Sequence, residues 1–247
     1  DMFQTDRPFR SLIDADHTFV NQILAEHYGI PGVQGDEFRR VDGMKQYGRG
    51  GILSFASVLS KHSGAARTSP ILRGNWIAEI LLGERLPRPP ADVPKLPEGE
   101  ADSELTIRQL VEKHTQVQEC ALCHDRIDPL GFALEQFDTI GRRRDKDLAG
   151  RSVDAVARLK DGTRFEGVDG LKEYILTQRK HDLVQQFCKK LLGYALGRRV
   201  ILSDRQLLKE IATELETTDA SISTAVMAVV RSKQFQFIRG AEFSVAN

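Results

Sequence analysis

The 247-residue chain is poor in cysteine, has no surplus charge of either sign and contains no long apolar run. Three cysteines are too few for a disulfide framework, and two of them fall within one five-residue stretch. Thirty-five Lys and Arg balance 35 Asp and Glu, so no global field draws the chain towards nucleic acid or an anionic membrane. No apolar stretch reaches the roughly 20 residues that a helix needs to cross a bilayer, so no transmembrane segment is expected. The sequence opens at Asp1 with neither an initiator Met nor a basic, apolar leader, which reads as a mature product or excised piece with any export signal upstream. No internal repeat is visible.

What is present predicts a mainly α-helical chain with enough hydrophobic residues, 40%, to bury a sizeable core. Phe19, Ile23 and Leu24 recur at helical spacing before Gly29-Ile30-Pro31-Gly32, giving a helix–turn–helix start. Thr68-Ser69-Pro70 opens a helix carrying Ile71, Trp76, Ile77, Ile80 and Leu81, with Pro70 suited to its first turn. Residues 86–103 scatter five prolines among polar residues and predict an extended strap. Thr106 and Gln109 form a capping box before a short helix. Further on, Lys160-Asp161-Gly162-Thr163 sits between alternating runs and predicts one β-hairpin. Helical patterns follow from Leu171 to Gly197, after a second capping box at Ser203 and Gln206, and from Ile222 to Val230. These changes place boundaries after residues 47 and 146, with the hairpin and a C-terminal helical bundle over 147–247.

Cys120-Ala121-Leu122-Cys123-His124 is the Cys-x-x-Cys-His pattern of covalent haem attachment. Two thiols three positions apart on a helical turn are spaced to bond the two vinyl groups, and the adjoining imidazole then lies beneath the iron. Zinc would need a second ligand pair where only Cys188 remains, and a redox dithiol would be expected within a βαβ unit that is not seen here. Downstream, Pro129, Leu130 and Phe132 supply an apolar wall for the ring or simply fill the core. Cys188, on an apolar helical face, reads as a buried, unreactive thiol.

Beyond the Cys-His motif, Arg49-Gly50-Gly51-Ile52-Leu53, Arg67 through Gly74, Asp128 through Glu135 and Tyr194-Ala195-Leu196-Gly197-Arg198 together make the chain resemble the multidomain cytochrome c proteins abundant in planctomycetes, built from domains of unknown function. The resemblance implies that residues 1–47 are the tail of a preceding helical domain and 48–146, with the Pro-rich strap, a helical, cytochrome c-like haem domain, and it implies export to the periplasm or beyond, a redox role, and partners among other domains or chains of the same precursor. It implies no substrate.

The function turns on the iron's second axial position, because a protein ligand there gives an electron carrier and an open site gives ligand chemistry. His114, which the resembling family also carries, is the first candidate for that position and His62 the second. Met44 lies in a polar, Gly-flanked loop and is a further possibility, whereas Met227 reads as core and His17, His27 and His181 as surface residues. Arg73, with Arg67, Arg142 and Arg143, is a candidate partner for the haem propionates. The expected function is transfer of electrons to or from a redox partner protein or domain. The alternative is an enzyme of peroxidase or oxygenase type, and a weaker third idea makes the haem a centrepiece that organises the fold.

Overall fold

A computed structural model describes residues 1–87, 96–100, 104–116, 118–218 and 220–237. Most of the proline-rich strap expected over 86–103 lies outside the described residues. The fold is mainly helical with two small antiparallel two-stranded sheets, one more than the sequence suggests. The chain forms two compact units, Leu12–Arg179 and Asp1–Ser11 with Lys180–Asn247.

The larger unit takes in all but the first residue of α1 (Ser11–Asp14), followed by β1 (His17–Val20), α2 (Gln22–Tyr28) and β2 (Arg39–Asp42). The first sheet pairs His17 opposite Asp42 and Val20 opposite Arg39. Phe19 therefore lies on a strand, not on the helical face with Ile23 and Leu24. His17-Thr18-Phe19-Val20 is rich in β-branched and aromatic residues, which favour pleated backbone, and the helix starts only after Asn21, whose side chain accepts the Leu24 amide at 3.0 Å. Met44 is not in a mobile loop: it is fully buried with Val20, Ala25 and Ile30 in a small core.

The centre of this unit is the packing of α4 (Pro70–Asn75) on α6 (Gln118–Phe132), with α3 (Ala56–Lys61) and α5 (Ile107–His114) nearby in the chain order. Ser69 caps α4 and Pro70 occupies its first turn, as the sequence predicts; a π-helical stretch, Trp76–Leu81, continues it. Two glycines set the closeness of the crossing. A Cβ on Gly74 would collide with the Ile127 carbonyl, and one on Gly131 with the Pro70 carbonyl, so each helix presents bare backbone to the other.

Buried arginines fasten the turn that follows α6. Arg73 donates to the carbonyls of Leu134 and Phe137 at 2.8 Å and of Asp138 at 2.7 Å. Arg49 lies over the Tyr28 ring at 3.9 Å and donates to the carbonyls of Ser54 and Gly141. Arg144 bridges Glu100 and Glu135, and Thr68 donates to Glu135 at 2.7 Å. The expected hairpin follows as β3 (Val156–Arg158) and β4 (Arg164–Glu166), succeeded by α7 (Gly167–Thr177).

The smaller unit contains α8 (Lys180–Leu196), α9 (Arg205–Thr217), α10 (Ile222–Arg231) and α11 (Lys233–Gln236) around buried Leu183, Val184, Leu192, Ile211 and Val229. Phe9 packs on Phe187 with ring centroids 4.7 Å apart. The helix expected to open from a capping box at Ser203 and Gln206 takes a different N-cap. Asp204 occupies the N-cap position instead, and its buried carboxylate accepts the Ile201 amide and both terminal nitrogens of Arg198. Met227, read as core, is 44% exposed on α10.

Candidate functional site

The motif occupies the first half of α6, while the second half, from Ile127 to Phe132, is buried. Cys120 and Cys123 are both free and half-buried, and their spacing of three puts them on one helical face. Leu122 between them is 66% exposed. The thiols therefore sit on the accessible half of a helix whose other half is anchored by the Gly74 and Gly131 contacts.

His124 is held by Asp128 one turn further on, with its Nδ1 3.0 Å from each carboxylate oxygen. Both side chains are largely shielded, at 12% and 9% exposure. Burial pushes the Asp128 carboxyl above the usual carboxylate range, and the hydrogen bond from His124 acts in the opposite direction. With Nδ1 committed to Asp128, Nε2 is the nitrogen available to a metal.

His124 and Asp128 line a cavity of about 200 Å³ together with Pro129, Phe132, Arg108, Arg158 and Lys160. Arg108 stacks on Phe132 at 4.0 Å and pairs with Asp154 at 2.9 Å; Lys160 pairs with Asp125 at 2.5 Å. Arg108, Arg158 and Lys160 are the cations that line this cavity, and sequence reasoning missed them. Lys160 lies at the tip of the predicted hairpin and Arg108 inside the capped helix, but nothing in either pattern says that those elements flank α6. The cavity is smaller than the roughly 300–1,000 Å³ of an enclosed ligand site.

Of the apolar wall, Pro129 and Phe132 line this cavity, whereas Leu130 is buried in the core. Arg73 is fully buried on carbonyl oxygens and is not among the lining residues. His62 stacks on Trp76 with centroids 5.4 Å apart, and burial lowers its pKa. His114 closes α5 and meets His124 directly, the two rings 5.1 Å apart and 71° to one another. His27 bonds the Ile140 carbonyl and His181 pairs with Glu216. Cys188 is fully buried, and burial pushes its thiol up to about 12.

Among the described residues no three His, Cys, Asp or Glu side chains converge to chelate a metal ion. A covalently held porphyrin asks for a different arrangement, in which the thiols bond carbon and one imidazole alone meets the iron. Two free thiols on one helical face, followed by an imidazole oriented through Nδ1, fit that requirement. Among the described residues no helix is long and apolar enough to cross a membrane.

No curated protein and no solved structure matches the chain. Three family models do, each described as a protein of unknown function: DUF1592 over residues 1–30, DUF1588 over 49–147, and DUF1585 over 161–235. The DUF1588 match contains the motif, the crossing of α4 and α6 and both buried arginines. These three are domains typical of planctomycete-type multihaem cytochrome c proteins.

Proposed function

We propose that this chain is a c-type cytochrome module that holds one covalent haem and passes single electrons to or from a partner domain or redox protein. The observation that carries the proposal is Cys120, Cys123 and His124 on one anchored helix, with the imidazole oriented by Asp128. Haem supplies a one-electron Fe(III)/Fe(II) couple when bound. Cys120 and Cys123 would hold the haem through thioethers, each S–H having added across one vinyl group, and His124 would offer Nε2 to the iron. Pro129 and Phe132 provide apolar surface, and Arg108, Arg158 and Lys160, now paired with Asp154 and Asp125, would meet propionates by exchanging those carboxylates for them. Covalent attachment of this kind takes place outside the cytoplasm, which supports a periplasmic or secreted location.

His114 is the first candidate for the opposite axial position and His62 the second. The direct contact of the His114 and His124 rings leaves no room for a macrocycle between them. Ligation by His114 therefore requires α5 to move, and Val111 is the one side chain that this helix buries. That same contact favours a second reading, a peroxidase- or oxygenase-type site with the far face of the iron open. Carbon monoxide distinguishes the two, because a sharp low-spin ferrous spectrum indifferent to the gas excludes the open site.

Protein purified after export through a haem-attaching host tests the module itself. The mass should exceed that of the polypeptide by one haem, and Cys120→Ser with Cys123→Ser should abolish the increment. A colourless chain of bare polypeptide mass under those conditions refutes the proposal.

A further inference from the structure

Building on the reading of α6 as a haem-attachment helix, we infer that Asp128 is a positioning residue that makes His124 a strongly electron-donating ligand and holds the iron at low reduction potential. Asp128 stands four residues after His124, and helical side chains lean towards the N-terminus, so its carboxylate comes back onto the imidazole. Both carboxylate oxygens are 3.0 Å from Nδ1.

A surface pair at this spacing would be screened by water, but here both partners are largely buried. The carboxylate has no competing cation: among the described residues its hydrogen-bond partner is His124 alone. The neighbouring cations are engaged elsewhere, Arg108 with Asp154 and Lys160 with Asp125. Asp125 adds a second negative charge close by, His114 is a further titratable neighbour, and Glu112 and Arg158 line the same cavity.

A carboxylate accepting Nδ1–H raises the basicity of the ligating imidazole. Ferric haem carries one more positive charge than ferrous haem, so a nearby shielded anion favours the ferric form. Asp128 thus acts on the iron through His124 without touching it.

The test is a spectroelectrochemical titration of the haem-loaded full chain, wild type beside Asp128→Asn and Asp128→Glu. Asparagine keeps an oxygen to accept Nδ1–H and removes the charge. At fixed poise its ferric-to-ferrous ratio should fall at least about tenfold, a rise of about 59 mV for one electron. The glutamate variant should stay close to wild type. An asparagine variant that binds haem and keeps the wild-type ratio overturns the inference. If asparagine prevents haem loading, the ferrous iron–histidine stretch of wild-type protein after photolysis of its carbon monoxide complex decides. A high frequency, as for carboxylate-paired imidazole, supports the role of Asp128, and a low one refutes it. Wild-type protein without covalent haem defeats the underlying module reading, and that failure is seen in the mass before any potential is measured.

Discussion

Arg73 shows how a residue type misleads when its neighbours are unknown. From sequence it is a cation suited to a carboxylate ligand; in the fold its guanidinium is wholly buried and spans three carbonyl oxygens beyond the end of α6. A planar fork satisfies several acceptors at once, and a lysine ammonium of shorter reach does not. Arg73→Lys should therefore destabilise the chain by about 3 kcal/mol, the scale of leaving buried polar groups unmatched. Urea denaturation measures this, and an unchanged midpoint would show that the latch contributes nothing. The identity of the motif residues was legible because the Cys-His spacing is local chemistry. Asp128 as the partner of His124 was also within reach, since an acid four residues after a helical histidine is a recognisable spacing.

At the scale of elements, what could be read was what neighbouring residues decide by themselves. The Thr106 capping box forms with Gln109, and the Asp-Gly hairpin forms where it was expected. β1 was missed because four strand residues abut a real helix and share its apolar character. The greater gap concerns partners: hydrophobic periodicity locates α4 and the motif implies only a helical turn at Cys120, so neither the length of α6 nor its crossing with α4 could be read, and Gly74 and Gly131 carried no visible meaning. Gly131→Ala would press a methyl group into the Pro70 carbonyl and force the helices apart. Overpacking of this kind costs about 1–3 kcal/mol, and in a chain of this length each kcal/mol lowers Tm by about 2–4 °C. Calorimetry should find the loss for Gly131→Ala. The same change at Gly150, where nothing lies within 4 Å, should not produce that steric loss, although its φ of +78° adds backbone strain of its own.

For the whole molecule, the motif and its surroundings belong to one compact unit, Leu12–Arg179, and Cys188 belongs to the other. Thiol chemistry can therefore report on the site and on global integrity in one measurement. Burial holds the Cys188 thiol at about 12 against an ordinary 9.0, so its thiolate is scarce at neutral pH. In native haem-free protein an alkylating reagent should modify Cys120 and Cys123 and spare Cys188; in haem-loaded protein it should modify none. Mass spectrometry counts the adducts, and labelling of Cys188 in the native state would contradict its burial. The same shift has a consequence for stability. Its contribution is complete below about pH 9 and is lost as pH climbs towards about 12, because the unfolded chain releases that proton first.

The glycine crossing fixes α6 where it meets α4, while its motif half leaves Leu122 exposed even though His124 is shielded beside His114. Evolutionary latitude should follow that mechanics: Ala121 and Leu122 can drift widely so long as the thiols and imidazole persist, whereas from Ile127 onward almost every alteration would be felt by the entire scaffold. A lineage could thus retune the chemistry at the motif end without renegotiating the architecture that carries it.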